Sequence, residues 1–379
     1  MAKKYENRII LITRETRLQK VLLSQNTVSQ AKFYISRLGG DFDDYQQEHQ
    51  RYCQALLEIK KDLDPLANIQ ILERRYLSNF VFDKNDIVIA LGQDGLVANT
   101  MKYLDLQPLI GINPDINRWD GILLPFAPED AAAVTEETIK GKRKTAPVSM
   151  AKVRVQNGQE LYAVNDFFIG QKTHTSARYI LKYEGYKEPQ SSSGIIISTG
   201  LGSTGWMKSI IAGAKRISSS VIASPYGSLQ ERDLAVENSD EETDFEAGAQ
   251  DAKIQAKDAV KKEGAAAQTV WDAKKTVSSL QRKTARKKKE YGISELSEII
   301  GKWESRELIF AVREPFPSKT TGTTLVFGKI PENRSLKIES LMGNNGVIFS
   351  DGIESDFITF NSGTEAVVSL AQKQGRLII

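Results

Sequence analysis

The alternation of apolar and polar positions changes character along the chain. Up to about residue 126, short unbroken apolar runs alternate with segments whose apolar residues fall at helical spacing. Ile9 to Thr13 reads as a first buried strand, Ile69 to Leu72 as a second, Ile87 to Leu91 as a third and Pro108 to Asn113 as a fourth, which ends in the turn signal Pro114-Asp115. Runs this short and this apolar suit strands covered on both faces. Between the first two, Asn26 to Leu63 carries Ala55, Leu56 and Ile59 at helical spacing, and Gly39-Gly40 divides the tract into two helices. The alternation predicts an α/β domain built on a doubly wound parallel sheet.

Further on the pattern turns β-rich. Lys152 to Val164 is a hairpin candidate around Asn157-Gly158, a pair that favours a type I′ turn, and it leads into Asn165-Asp166-Phe167-Phe168. Gly194 to Ser198 is another buried strand, followed by the small-residue turn Thr199 to Gly205 and a helix with Trp206, Ile210 and Ala214 on one face. From Ile309 short alternating segments return: Leu336 and Ile338, Val347 to Phe349, Phe357 to Phe360, Ala366 to Leu370. The expected division is an α/β domain over 1–128, a β-rich domain over 129–365, and a last segment, 366–379, returning to the first domain. A tract from about Leu229 to Gly301 interrupts the second domain, acidic at its start and basic near Arg286-Lys287-Lys288-Lys289. It reads as a solvated, partly helical or disordered excursion, with a subunit-contact or regulatory arm as the sharper alternative.

Composition narrows the functional classes. With 379 residues and 40% hydrophobic content the chain can bury a substantial core, and 51 basic against 48 acidic side chains give no support for a nucleic-acid or membrane-surface partner. A single cysteine, Cys53, excludes an internal disulfide framework and fits a reducing compartment. Two histidines, His49 and His174, are too few for a histidine-based metal site or for the usual expectation of a Ser-His-Asp triad. The opening MAKKYENRIILIT has no signal or transit pattern and no apolar stretch approaches a membrane span, so the cytoplasm is the expected address.

The candidate chemistry centres on Asp86 to Thr100. The buried run Ile87 to Leu91 meets Gly92-Gln93-Asp94-Gly95, and a helical pattern opens with Val97, Met101 and Leu104. A glycine-flanked turn from strand to helix lets backbone N–H groups approach an anion and aims a helix N-terminus at it. Asp94 then sits at the carboxyl end of a strand, where open α/β sheets bind ligands. On its own this G-x-D-G turn is equally an ordinary strand-to-helix connection.

Three turns together, Gly92 to Gly95, Asn165-Asp166 and Ser198 to Trp206, resemble the NAD kinase family, whose pattern is GGDG, an Asn-Glu pair and a T-x-x-G-S-T-A-Y stretch before a helix. The likeness is strongest to the branch represented by animal mitochondrial members. It extends to Gly111-Ile112-Asn113-Pro114-Asp115, Asp120-Gly121, Leu124-Pro125, Ser192 to Gly194, Phe310 to Pro315 and Ser350-Asp351-Gly352. The resemblance implies the two-domain fold of that family and phosphoryl transfer from ATP, with Mg²⁺, to the 2′-hydroxyl of the adenosine ribose of NAD. It implies Asp94 as general base, Gly92, Gln93 and Gly95 near phosphate, and Asn165, Asp166, Thr204, Trp206 and Ser209 along the dinucleotide. NAD and ATP are the implied partners, and a homodimer or homotetramer the implied assembly; no dedicated metal ligands are visible.

Several positions depart from the family pattern. Gln93 replaces the second glycine of GGDG, which costs roughly 1–2 kcal/mol if that residue needs a left-handed backbone and nothing if it does not. Leu96 replaces Thr or Ser, Asp166 is one methylene shorter than Glu, and Ser193 stands where many bacterial members carry Asp. Two other readings therefore stay open: a non-catalytic NAD- or NADP-binding regulatory protein with a degenerate phosphate loop, and a related kinase acting on a lipid or sugar hydroxyl.

Overall fold

The computed structural model describes residues 3–223 and 300–379. The charged tract singled out in the sequence lies almost wholly outside the described residues. The chain divides into two units, residues 1–207 with 299–379 and residues 208–298; the two sheets below belong to the first.

Four strands, β1 (Arg8–Thr13), β2 (Asn68–Glu73), β3 (Ile87–Leu91) and β4 (Pro108–Ile112), form a parallel sheet in the order β2-β1-β3-β4. The helices beside it are α1 (Arg17–Gln25), α2 (Val28–Arg37), α3 (Phe42–Leu63), α4 (Asp94–Met101) and α5 (Ala131–Ile139). The doubly wound α/β expectation is met. Local chemistry explains the boundaries: Thr16 and Gln19 form a capping box at the start of α1. Asp41 caps α3, with Asp43 and Asp44 in its first turn and Lys60 and Lys61 in its last, each sign matched to the helix dipole. Helix α1 itself was not expected, and α4 stops at Met101, so Leu104 is buried in the turn that follows.

The β-rich part comprises β5 (Thr145–Val155), β6 (Glu160–Ala163), β7 (Asp166–Gln171), β8 (Ala177–Tyr183), β9 (Tyr186–Ser192), β10 (Ile195–Ser198), β11 (Glu307–Val312), β12 (Phe327–Pro331), β13 (Leu336–Ser340), β14 (Gly346–Ser350), β15 (Ile353–Thr359) and β16 (Glu365–Ile378). Strand β16 is the joint. Arg376 and Leu377 pair in parallel with Pro108 and Leu109 of β4, while most of the strand pairs antiparallel with β5 and its start with β13. The first sheet thereby continues as β4-β16-β13-β8-β9, and a second, six-stranded sheet runs β12-β11-β10-β7-β14-β15. A core of Val153, Tyr179 and Ile338 from the first sheet and Phe167, Ile197 and Phe310 from the second fills the space between them. The 157–158 turn differs from expectation. Only Gly158 has positive φ, and Val155 bonds both Gly158 and Gln159, the three-residue loop with a glycine bulge rather than type I′.

Helices α3 and α5 cover one face of the parallel sheet, and α4 covers the other. On that second side β4 runs so close to the 121–124 loop that a Cβ at Gly111 would stand 2.1 Å from the Leu123 carbonyl oxygen. Gly111→Ala is therefore expected to destabilise the fold by about 1–3 kcal/mol through overpacking against backbone. A lowered denaturant midpoint at unchanged m-value checks this.

Candidate functional site

The first turn leaves β3 through Gly92. Gln93 has φ −123° and ψ 164°, extended backbone that any residue adopts, so glycine is not required there. Asp94 opens α4, and its Oδ1 accepts the Leu123 N–H at 2.7 Å. Gly95 is exposed, with no atom within 4 Å of where a Cβ would stand. The far end of the helix is held from β16: the Lys373 ammonium donates to the carbonyls of Lys102 at 3.0 Å and Leu104 at 2.9 Å.

The second and third turns are bonded into one piece. Asp166 faces Ser198 across the β7–β10 ladder. The Thr199 N–H donates to the Asn165 carbonyl at 3.0 Å, its hydroxyl donates to the Val164 carbonyl at 2.6 Å, and it accepts from the Gly202 N–H at 3.1 Å. Gly202 has to be glycine here, because a Cβ would lie 2.1 Å from the Asn165 carbonyl oxygen. Helix α4 packs behind this piece, since Leu96 and Val97 share a core with Val164 and Leu201.

A fourth segment, unassigned in the sequence beyond its family likeness, ties the others together. Asp351 and Gly352 join β14 to β15 with φ of 53° and 69°, the two positive values of a type I′ turn. The half-buried Asp351 carboxylate accepts the N–H groups of Val164, Asn165 and Asp166 at 3.1, 2.6 and 3.3 Å, and its own N–H donates to the Asp166 carbonyl. Burial pushes this carboxyl up, while Lys102 and the three donors pull it down. The Lys102 ammonium, itself buried, donates to Ser350 Oγ at 2.7 Å and to Asp356 at 2.6 Å, and the Tyr103 hydroxyl donates to the same Asp356 oxygen.

Two cavities open around these segments. One, of about 580 Å³, is lined by Asp166, Phe168, Trp206, Arg313, Phe349 and Gly352 among others. Phe168 stacks between Trp206 and Phe349, with centroid distances of 6.0 and 6.1 Å, and the Arg313 guanidinium lies 5.2 Å from the Trp206 ring centroid. The other, of about 650 Å³, is cationic, and Gln93 and Trp119 lie on its wall. The connection after β14 contributes to both, Gly352 to the first and Ile353 and Asp356 to the second.

Of the residues named from the sequence, Asp166 and Trp206 line the aromatic cavity and Gln93 lines the cationic one; Asp94 lines neither. Thr204 turns its hydroxyl onto the Leu201 carbonyl at 3.0 Å. Ser209, on the helix α6 (Trp206–Ala223), belongs to the second unit and remains a candidate from the sequence alone. Asp351, Lys102 and Asp356 were missed as a group. Asp-Gly after a strand was the one signal available, since Lys102 is 248 residues from Ser350. Among the described residues there is no group of three or more His, Cys, Asp or Glu placed to hold a metal, and no helix is long and apolar enough to cross a membrane.

No protein-family model matches the chain, and no curated protein matches it. Among solved structures it is similar to an NAD kinase from Archaeoglobus fulgidus in complex with ATP, with 12% identity, 98% of this chain and 93% of that chain covered, and a TM-score of 0.49. It is also similar to yeast NADH kinase complexed with NADH, with 11% identity, 99% and 84% covered, and a TM-score of 0.48.

Asp166 is the electrostatic outlier of the aromatic cavity. Desolvation, with the Asp351 charge adding to it and the Ser198 hydroxyl opposing it, raises its pKa to about 7, and Oδ1 is buried without a partner. A carboxyl raised in the folded state keeps its proton where the unfolded chain has lost it, so stability falls as pH rises from about 4 to about 7. Asp166→Asn removes that fall. The variant should gain on the wild type through this window, by about 4 kcal/mol at most, with no further gain above it. Denaturant unfolding of both proteins at pH 4, 5, 6, 7 and 8 measures the difference.

Proposed function

We propose that the protein transfers a phosphoryl group from ATP to the 2′-hydroxyl of the adenosine ribose of NAD, giving NADP. The observation that carries this reading is the hydrogen-bonded union of the Asn165-Asp166 and Thr199–Trp206 turns into one wall of an aromatic cavity, with the helix opened by Asp94 packed against its back. Those are the three motifs whose order resembles the NAD kinase family, and they are far apart in the sequence.

In this reading the Asn165 amide offers both a donor and an acceptor to a base edge, and Asp166, poised near neutrality, exchanges a hydrogen bond with a ribose hydroxyl or ring amine. Trp206, already flanked by Phe168 and Arg313, presents an aromatic surface to a base. Asp94 takes the ribose hydroxyl proton as the oxygen attacks the terminal phosphorus of ATP and the P–O bond to the departing ADP breaks. Mg²⁺ supplies charge neutralisation on the phosphates; with no carboxylate cage among the described residues, phosphate oxygens and water would hold it, the usual arrangement for this ion. The unstrained backbone of Gln93 removes the steric reason for treating the loop as degenerate.

Purified protein with Mg²⁺, ATP and NAD should form NADP, detected by an NADP-specific dehydrogenase. Asp94→Asn keeps an oxygen for the Leu123 N–H, so it should fold and bind NAD nearly as well while turnover drops by about 10²-fold or more. Wild-type protein that binds NAD but makes no NADP at saturating ATP would rule the transfer out.

A further inference from the structure

After β4 the chain leaves the sheet and returns to it at Phe126, and on the way back Leu123 gives its N–H to Asp94. The Asn113 N–H closes the base of this excursion on the Phe126 carbonyl at 2.8 Å. No helix or strand braces the residues between, so placing one N–H against one carboxylate falls to side chains. The central one is Asn113, which is 2% exposed. Its amide oxygen accepts the Asp115 N–H at 3.0 Å, and its amide nitrogen donates to the Trp119 carbonyl at 3.0 Å. One side chain thus grips both ends of the segment 115–119.

From Trp119 the chain turns at Gly121, where φ is 62°, and the Leu124 N–H closes the turn on the Gly121 carbonyl at 2.9 Å. A Cβ at Gly121 would stand 2.7 Å from Asn113 Nδ2, so this turn rests on the same amide. Leu123, inside the turn, reaches Asp94 Oδ1 at 2.7 Å. Asp115 secures the outer side. Its carboxylate accepts from Arg51 of α3 at 2.7 Å and from Arg118 at 3.2 Å, and its carbonyl accepts the Arg118 and Trp119 N–H groups at 3.0 and 3.2 Å. Position 113 therefore needs a donor and an acceptor on one short side chain. Ionised aspartate has no donor for the Trp119 carbonyl, and leucine would leave both backbone partners unsatisfied.

We infer that Asn113 is a positioning residue for Asp94. Acting through the 119–124 turn, its amide sets the Leu123 N–H, which fixes one carboxylate oxygen of Asp94. The other oxygen has no hydrogen bond among the described residues and is left to accept a proton. That this proton comes from a ribose hydroxyl rests on the proposed kinase reading; the setting of the Leu123 N–H does not. The loop reaches the cationic cavity at Trp119 and does not line the aromatic one, so loosening it should spare NAD binding.

Hydrogen exchange and steady-state kinetics on the full chain test the two parts separately. In Asn113→Asp the amides of 119–124 should exchange about tenfold faster or more, while those of β3 and β7 keep their wild-type rates. Its kcat should fall by about 10- to 100-fold, with the KM for NAD held within about twofold. Combined with Asp94→Asn, Asn113→Asp should cost almost nothing further, because a residue acting through Asp94 has no more to lose once that carboxylate is gone. A merely structural role would add its own loss. Gly121→Ala presses on the same amide from the other side and should reproduce both effects, which covers the case in which Asn113→Asp fails to fold. The inference is overturned if 119–124 exchanges in the variants as in the wild type. It is equally overturned if the wild type forms NADP and the variants keep its kcat, or if the losses add in the double variant. Faster exchange in the variants, with no NADP formed by the wild type, keeps the Asn113 anchor and removes the kinase reading.

Discussion

The structure depends on one half-buried carboxylate. Asp351 sits half-buried in a two-residue turn, and three consecutive N–H groups of Val164, Asn165 and Asp166 converge on it. An isolated ion there would be prohibitively costly, and three neutral donors offset only part of that cost. The Lys102 ammonium, which lies at the end of α4 and also meets Ser350 and Asp356, adds to that offset, and desolvation still leaves the carboxyl raised. The helix that begins with Asp94 therefore ends in the charge that steadies the Asn165-Asp166 segment.

The same desolvation acts on Asp166, which has fewer partners to offset it. Asp351 gathers three backbone donors, whereas Asp166 has the Ser198 hydroxyl and an oxygen with no partner. Its carboxyl consequently sits near neutrality at physiological pH, at a cost to folding. A buried acid left in that state is poorly explained by stability alone. It is well explained by a ligand that completes its hydrogen bonding, because such a ligand recovers free energy the empty fold has forgone.

Much of the architecture was legible in the chain, for physical reasons that also mark where legibility ended. Strands β1 to β4 were readable because burial on both faces forces unbroken apolar runs such as Ile87 to Leu91. Strand β9, Tyr-Lys-Glu-Pro-Gln-Ser-Ser, was not: it lies at a sheet edge, where polar residues and Pro189 are tolerated. The type I′ turn was expected at Asn157-Gly158 and occurs instead at Asp351-Gly352, because a loop one residue longer lets Asn157 keep negative φ. Within the candidate site, Asp166 and Trp206 could be found by motif order, and they line one cavity. Lys102, Asp351 and Asp356 could not, since their pairing is set by tertiary contacts. Arg14, Arg74 and Trp119 of the cationic wall could not either, because separately each is only a polar residue after a strand or in a loop.

The two cavities differ in a way that suits the two halves of the proposed transfer. One offers stacked rings and a near-neutral acid, suited to a base and a ribose; the other is net positive, with Arg14, Arg17, Lys20, Arg74 and Arg75 against Glu15, Glu73 and Asp356, a surface suited to phosphates. A transfer between molecules held in such different surroundings needs its reacting groups fixed where the walls meet, since misplacement by an ångström is expensive. Two connections supply that fixing. The β14–β15 hairpin places Gly352 on one wall and Ile353 and Asp356 on the other, and it is anchored by Asp351 and Lys102. The loop after β4 carries Trp119 to the cationic wall and, four residues on, gives the Leu123 N–H to Asp94. The carboxylate proposed as base is thus oriented by the same loop that carries Trp119 to the cationic wall, so the position of Asp94 and the shape of that wall share one mechanical element.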